Sequence, residues 1–106
     1  MTRHVLIYNP VHGQRVSSKY LTIMGRVLDT AINSVAVYVN KRLCRRVHVS
    51  KVGAFECRVD LSNEEMGKGE VEVRAVFGHR TERVMVPFVK MEETAPDPQD
   101  SEAAVE

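Results

Sequence analysis

The stretch GEVEVRAVF, residues 69–77, alternates apolar and polar side chains along its whole length. One parity holds Val71, Val73, Ala75 and Phe77, and the other holds Glu70, Glu72, Arg74 and Val76. A period of two is typical of a β-strand that buries one face and exposes the other. We therefore predict a central strand whose wet face carries Glu70, Glu72 and Arg74, with Val76 as the single apolar residue on that side.

Six further segments rich in Val, Ile, Leu and Phe flank this strand, and they cover residues 4–8, 19–28, 34–39, 43–49, 54–61 and 82–89. Pro and Gly punctuate the connections between them, as turns require. Residues 62–68 favour a single helical turn, with Ser62 as its cap and Glu65 three residues on. That turn is too short for the crossover that a parallel sheet needs. The pattern predicts an all-β, seven-stranded antiparallel sandwich, with a small closed barrel as the alternative.

Three positions inside the predicted strands carry specific expectations. Gly25 weakens a strand interior unless a crossing loop or a large side chain of the opposite sheet packs against it. Pro87 lacks an N–H, so its strand should lie at an edge or present position 87 to solvent. In segment 43–49, parity places Leu43 on the inner face and Cys44 on the polar face.

Charge is divided unevenly between the body of the chain and its C-terminus. Residues 1–90 carry fifteen basic and eight acidic side chains, whereas residues 91–106 carry six acidic side chains and no basic one. From residue 95 on, the stretch contains two prolines and Val105 as its one large apolar residue. We predict one β-sandwich domain over residues 1–90 and an acidic disordered tail over residues 91–106.

Targeting and redox signals in the sequence are weak. The longest apolar runs are far shorter than a membrane span, so no membrane insertion is expected. The N-terminus shows no secretory signal peptide, which favours a cytoplasmic location, or an extracytoplasmic one if the chain belongs to a longer protein. Cys44 and Cys57 are expected as reduced thiols, and a disulfide between them stays open.

The residue types that carry catalysis or bind metals do not form a recognised pattern. The four histidines are scattered at positions 4, 12, 48 and 79, without zinc-ligand spacing. Asp60, Glu64 and Glu65 lack the several correctly spaced oxygens of a calcium loop. No G-x-S-x-G nucleophile motif occurs. We therefore expect a protein that is not an enzyme and that uses no cofactor or metal.

Five pieces of the chain, in order and spacing, resemble bacterial immunoglobulin-like domains, the accessory modules of cell-surface and carbohydrate-active proteins. These pieces are PVHG at 10–13, LTIMGRVLD at 21–29, VAVYVN at 35–40, GAFECRVDL at 53–61 and GEVEVRAVFG at 69–78. The sequence departs from the pattern at Asn40, which Lys41 follows where glycine is usual. The resemblance implies a seven-stranded antiparallel immunoglobulin-like β-sandwich, a binding or spacer role, and no catalytic residues.

The first candidate surface is an apolar face. In the immunoglobulin-like arrangement, the segments 34–39, 69–77 and 82–89 lie side by side. Their outward residues then bring together Tyr38, Val76 and Met85 as a protein-contact face. On this reading the partner is another protein or a second copy of the chain.

The second candidate surface is basic. Lys41, Arg42, Arg45, Arg46 and Lys51 lie on one hairpin and its turns, and Arg74, Arg80 and Arg83 lie on or near another. Such a cluster could bind an anionic polymer, either nucleic acid or acidic glycan. No aromatic residues interleave with these basic side chains, so the cluster offers few rings on which nucleobases could stack. A solvated hairpin that protects a sheet edge with charge explains the same residues.

Overall fold

The computed structural model describes residues 4–92, and these form eight β-strands and no helix. The strands are β1 Val5–Asn9, β2 Gln14–Val16, β3 Tyr20–Val27, β4 Ser34–Val39, β5 Arg42–His48, β6 Ala54–Asp60, β7 Gly67–Phe77 and β8 Arg80–Lys90. The predicted all-β sandwich is confirmed. The additional strand is β2, whose three residues are too few to show an alternation.

Within the described residues, the strands build two sheets in the orders β1-β3-β6 and β2-β8-β7-β4-β5. All pairs are antiparallel except β2 with β8, which run parallel. Strand β7 is the middle strand of the five-stranded sheet, as the alternation of residues 69–77 predicted. The expected adjacency of β4, β7 and β8 is also confirmed.

The inner faces of the two sheets meet in a core of Val, Ile, Leu and Phe side chains. The core includes Val5, Leu21, Ile23, Val37, Val39, Phe55, Leu61, Val71, Val73 and Phe88. Val71, Val73 and Ala75 are fully buried, which confirms the predicted inner face of β7. Because alternate residues of a strand share one face, this packing leaves the other face of each sheet to solvent.

Gly25 is explained by its neighbour in the same sheet. It pairs directly with Phe55 of β6, and a Cβ at Gly25 would lie 2.4 Å from the Phe55 ring. Gly69 and Phe88 repeat the arrangement between β7 and β8, with 2.6 Å from such a Cβ to the ring. The expectation of close packing at Gly25 was correct, but the expected source in the opposite sheet or a crossing loop was wrong.

The predicted orientation of Leu43 and Cys44 was wrong because β5 contains an irregularity. The register between β4 and β5 shifts at Val37 and Tyr38, so that Tyr38 lies opposite Leu43 and one residue is extra on β5. An extra residue reverses the alternation beyond it. Leu43 therefore shares the outer face with Tyr38, and Cys44 packs against the core.

Pro87 sits inside the five-stranded sheet without breaking its ladder. The short strand β2 pairs only with residues 88–90 of β8. The carbonyl of Pro87 accepts a hydrogen bond from the Gly13 N–H at 2.8 Å, on the side away from β7. The nitrogen of Pro87 points to this same side, so β7 loses no hydrogen bond there. Position 87 therefore lies where the outer side of β8 has no strand partner, which agrees with the predicted edge position, although β2 covers residues 88–90.

Two turns at one end of the sandwich are held by side chains. Asn40 and Lys41 both have positive φ, 50° and 70°, which is the conformation of a tight hairpin turn. Asn40 donates to Glu64 at 2.7 Å and accepts from the Glu70 N–H at 2.9 Å. The single helical turn considered for residues 62–68 does not form, and the segment makes a hydrogen-bonded turn instead.

The last described residues, Met91 and Glu92, follow directly on β8, and the Met91 N–H donates to the Val16 carbonyl at 2.8 Å. Most of the predicted acidic tail, residues 93–106, lies outside the described residues. In the part of the chain that is described, no helix has the length and apolar character to cross a membrane.

Candidate functional site

The outer face of the five-stranded sheet brings Tyr38, Val76 and Met85 onto three neighbouring strands. Tyr38 and Met85 lie on either side of Glu72 in one cross-strand row, and Val76 lies four residues further along β7 on the same face. Val76 is 64% exposed and Met85 is 51% exposed, whereas Tyr38 is half-buried. We call the outer surface of this sheet, formed by β5, β4, β7 and β8, the contact face.

The burial of Glu72 differs clearly from the sequence-based prediction. This residue was predicted on the wet face of β7, and it does point outward, but it is only 6% exposed. Its carboxylate accepts hydrogen bonds from Arg74, with Nε at 2.6 Å and Nη2 at 3.5 Å. The Nε of Arg83 lies 3.9 Å away. Glu72 is therefore a buried acid on an outer sheet surface, and its carboxylate pairs with the neighbouring arginines.

Arg74 is fixed on two sides. Its hydrogen bond to Glu72 raises the pKa of Arg74 above its usual value. Its guanidinium also lies over the Tyr38 ring, with 4.1 Å from Cζ to the ring centroid, which is the distance of a cation–π contact. The result is an ordered charge, held between a carboxylate and an aromatic ring.

Three arginines lie in one row across the sheet. Arg46 of β5 pairs with Ala36 of β4, Ala36 pairs with Arg74 of β7, and Arg74 pairs with Arg83 of β8. We call Arg46, Arg74 and Arg83 the arginine row. A shallow groove of about 410 Å³ runs beside it, lined by the row together with Ser34, Tyr38, Val76 and Thr81.

The basic cluster predicted from the sequence is divided by the fold. Arg46 lies on the contact face, whereas Arg45 points toward the gap between the two sheets. Lys41 and Lys51 lie in turns at the two ends of β5. Arg42 is bound to Glu64, and that hydrogen bond raises the pKa of Arg42.

A second groove, of about 640 Å³, opens between the edge strands β5 and β6. Arg42, Arg45 and Arg58 line it, with Tyr20 and Asp60. The Arg58 guanidinium lies 4.8 Å from the centre of the Tyr20 ring. Basic residues and one aromatic ring thus come together here, although Tyr20 is distant from the predicted cluster in sequence.

The outer face of the three-stranded sheet also exposes apolar side chains that the sequence reasoning did not single out. Tyr8, Tyr20 and Met24 lie on this side, and Tyr8 is 55% exposed. Lys19 and Arg58 both lie over the Tyr20 ring. We call this outer surface of β1, β3 and β6 the opposite face.

Thiols and metal ligands form no reactive centre in the described residues. Both cysteines are free thiols, and burial raises the pKa of Cys57, which disfavours its nucleophilic thiolate. Asp60 accepts a hydrogen bond from the Ser62 N–H at 2.8 Å, as part of a turn. Within residues 4–92, no three His, Cys, Asp or Glu side chains lie close enough to hold a metal ion.

Comparison with known proteins identifies the fold and no family. No family model matches the chain, and no curated protein matches it. A fibronectin(III)-like module of CbhA from Clostridium thermocellum is 20% identical, with a TM-score of 0.65, over 81% of this chain and 93% of that one. The endo-beta-1,4-mannanase from Thermotoga petrophila has a TM-score of 0.75 at 14% identity, over 88% of this chain and 20% of the mannanase.

An engineered protein is similar at a TM-score of 0.62 and 21% identity, over 82% of this chain and 20% of its own. In two of the three solved structures, this chain therefore spans about a fifth of the matched chain. At these identities the likeness shows the fold, which is a fibronectin(III)-like β-sandwich of the immunoglobulin-like type.

Proposed function

We propose that the chain is a non-enzymatic β-sandwich module that mediates contact with another protein through its contact face. The observation that carries the proposal is the alignment of Val76 and Met85, both more than half exposed, beside Tyr38 and the arginine row. Tyr, Met and Arg are the residue types that protein interfaces favour. The proposal assigns no catalytic residue.

The matched solved structures support an accessory role within a larger carbohydrate-active protein. The CbhA match is described as a fibronectin(III)-like module, and the mannanase match is a fifth of an enzyme that acts on a polysaccharide. A module of this kind would position or join other domains. The contact face would then dock against a neighbouring domain or a partner chain.

Binding of an anionic polymer through Lys41, Arg42, Arg45, Arg46 and Lys51 stays a prediction. The fold separates these side chains, since Arg46 faces the contact face and Arg45 faces the gap between the sheets. Arg42 is already engaged by Glu64. These features weigh against one continuous basic track, and they favour protein contact as the primary function.

Val76→Glu tests the contact face. The substitution places a charge on the contact face, across the arginine row from Tyr38 and Met85, and should abolish partner capture or self-association. Folding stability should change by no more than about 1 kcal/mol, because position 76 faces solvent. The measurements are sedimentation velocity over a concentration series and affinity capture with the partners identified by mass spectrometry.

Two variants serve as controls. Val52→Glu makes the same change at a residue that is 70% exposed in the turn between β5 and β6, and it should leave association intact. Met24→Glu introduces a charge on the opposite face. If Met24→Glu abolishes association and Val76→Glu does not, the contact lies on the three-stranded sheet and the proposal is wrong.

A further inference from the structure

The arginine row carries more positive charge than the described residues neutralise. Like charges directly opposite each other on neighbouring strands destabilise a sheet, yet Arg74 lies opposite Arg83. Ion pairs within residues 4–92 join Glu72 to these two arginines and none reaches Arg46. Two guanidinium groups therefore share one carboxylate, the third has no ion pair within the described residues, and the row attracts further negative charge.

The arginine row is also preorganised for ligand binding. Arg74 is held by Glu72 at 2.6 Å and by the Tyr38 ring at 4.1 Å, so this side chain loses little freedom when it binds. Ala36 lies between Arg46 and Arg74, and its short side chain leaves a notch between two long ones. Neighbouring strands are about 4.8 Å apart, so the Cα atoms at the two ends of the row are about 14 Å apart.

We propose that the arginine row binds an extended acidic segment of a protein partner, and this inference rests on the proposed function. In an extended segment, three alternate side chains span about 14 Å on one face, which matches the length of the row. Guanidinium groups recognise carboxylates with paired hydrogen bonds. Val76 and Met85 border the row and would contact apolar side chains of the same segment.

A polypeptide suits this surface better than a nucleic acid does. Binding of single strands depends on aromatic faces that are free to stack on bases. The face of Tyr38 that points to the row is covered by the Arg74 guanidinium. Carboxylates in an extended chain need no such stacking, whereas the exposed Val76 and Met85 offer nothing specific to a phosphate backbone.

The test uses the full chain and a short fluorescein-labelled peptide in which Glu alternates with Thr. Fluorescence anisotropy at low salt should show binding of this peptide and none of a matched peptide with Gln in place of Glu. The double variant Arg46→Gln with Arg83→Gln should weaken binding about tenfold or more. The control is Arg15→Gln with Arg58→Gln, which removes equal charge from exposed positions on β2 and β6 and should change binding less than about threefold.

Ala36→Glu separates binding from folding. Ala36 is only 9% exposed, so burial opposes the new charge, but its pairing with Arg46 and Arg74 offsets this cost and the melting temperature should change little. At the same time the internal acid should occupy the row, and the Glu-Thr peptide should no longer bind. Retained peptide binding in this variant, with the fold intact, overturns the inference.

The remaining outcomes are equally decisive. Equal weakening by the two double variants means that net charge alone attracts the peptide, and the inference is then wrong. It is also wrong if heparin or an oligonucleotide binds more tightly than the peptide and loses this binding in the Arg46 and Arg83 variant. If the row binds the peptide but Val76→Glu leaves protein contact unchanged, the inference stands and the apolar part of the proposed function fails.

Discussion

Glu72 determines the character of the contact face at the scale of single residues. Its carboxylate contacts Arg74 and lies 3.9 Å from Arg83, with Tyr38 and Met85 on the two neighbouring strands, and Glu72 is only 6% exposed on an outer sheet surface. A buried acid is stable only if it is paired and hydrogen-bonded. Arg74 and Arg83 thus have two roles. They stabilise the buried Glu72 carboxylate in the folded chain, and they present positive charge to a partner.

We predict that Glu72→Gln destabilises the fold by about 1–3 kcal/mol, because it removes the charge that separates two opposed arginines. Glu70→Gln is the matched control, on the same face of the same strand two residues earlier. Urea denaturation monitored by circular dichroism measures both. A loss no larger than that of the control would mean that the arginines turn to solvent when the acid is removed.

Lys41 is a residue in a strained position. Its φ of 70° is one that side chains with a Cβ rarely adopt, and it follows Asn40 in a turn where glycine is preferred. We predict that Lys41→Gly raises the free energy of unfolding by up to about 1 kcal/mol, since relief of strain exceeds the added chain entropy.

Lys51→Gly is the control for Lys41→Gly. It removes the same charge in the next turn of the chain, at a residue without positive φ, and should lower stability slightly. Thermal or urea denaturation of the two variants distinguishes them. A loss of stability in Lys41→Gly would show that the Lys41 side chain makes a contact that outweighs its backbone strain.

At the scale of elements, Glu82 joins the two sheets. It lies on β8 and its carboxylate accepts hydrogen bonds from the N–H groups of His4 and Val5, at 3.0–3.1 Å, where β1 begins. The His4 ring lies 3.0 Å from the same carboxylate. Burial opposes ionisation of Glu82, but these hydrogen bonds outweigh it and hold the pKa of that carboxyl below its usual value.

The lowered pKa gives Glu82 a defined effect on stability. The unfolded chain binds a proton at this residue more readily than the folded chain, so the contribution is complete above the unfolded pKa of about 4.3. It is lost as pH falls through the lower folded value. We predict that Glu82→Gln costs about 1–2 kcal/mol near neutral pH and that this cost shrinks in acid.

Denaturation of the native chain and of Glu82→Gln at neutral pH and at pH near 3 measures this dependence. Glu56→Gln, at an exposed position on β6, is the control and should cost little at either pH. An equal cost of Glu82→Gln at both pH values would mean that the hydrogen bonds at the start of β1 do not depend on ionisation of Glu82.

The strands differ in how far their position and the orientation of their side chains could be predicted from the sequence. The inner faces of β3, β6 and β7 follow from alternation alone, because each strand is long and its apolar residues keep one parity. Orientation around Leu43 and Cys44 could not be predicted, since an extra residue in β5 leaves no mark on the composition. Strand β2 depends on its parallel partner β8, and three residues show no period of their own.

The candidate site was predictable only in its apolar part. Adjacency of β4, β7 and β8 placed Tyr38, Val76 and Met85 together without knowledge of register. The arginine row requires the register of three strand pairs, because Arg46 lies on β5, far from Arg74 in the chain, and Arg74 meets Arg83 only in the register of the β7–β8 hairpin. Burial of Glu72 has the same origin, since its cover comes from side chains on β4 and β8.

At the scale of the whole molecule, one side of the sandwich ends in the edge strands β5 and β6, which are protected by charge. Arg42, Arg45 and Arg58 line the gap between β5 and β6, and charged side chains at a sheet edge prevent pairing with other chains. The same residues belong to a body with a large excess of positive charge, to which an acidic segment is covalently joined. The net charge of the whole chain is therefore close to zero, although its body is basic and its C-terminal segment is acidic. The two parts attract each other, and each attracts external molecules of opposite charge.

Removal of residues 93–106 should strengthen the attraction of the basic body for external anions. The segment carries Glu93, Asp97, Asp100, Glu102 and Glu106, and its attachment to the body keeps these acids at high local concentration. Individual exposed charge pairs are weak and are screened over about 10 Å at 0.1 M salt. The acids therefore compete with external anions without closing any one site.

We predict that a chain ending at Glu92 is retained on heparin more strongly than the full chain at low salt, and that this difference in retention disappears as salt approaches the physiological range. A full-length variant with the five acids changed to their amides is the matched control. It keeps the segment and removes only its charge, so it should elute with the shortened chain. Elution with the unmodified chain would assign the effect to bulk instead of charge. If the shortened chain passes through heparin at low salt without retention, the basic residues of β5 and its turns serve as a solvated edge, and binding of anionic polymers is excluded as a function of this surface.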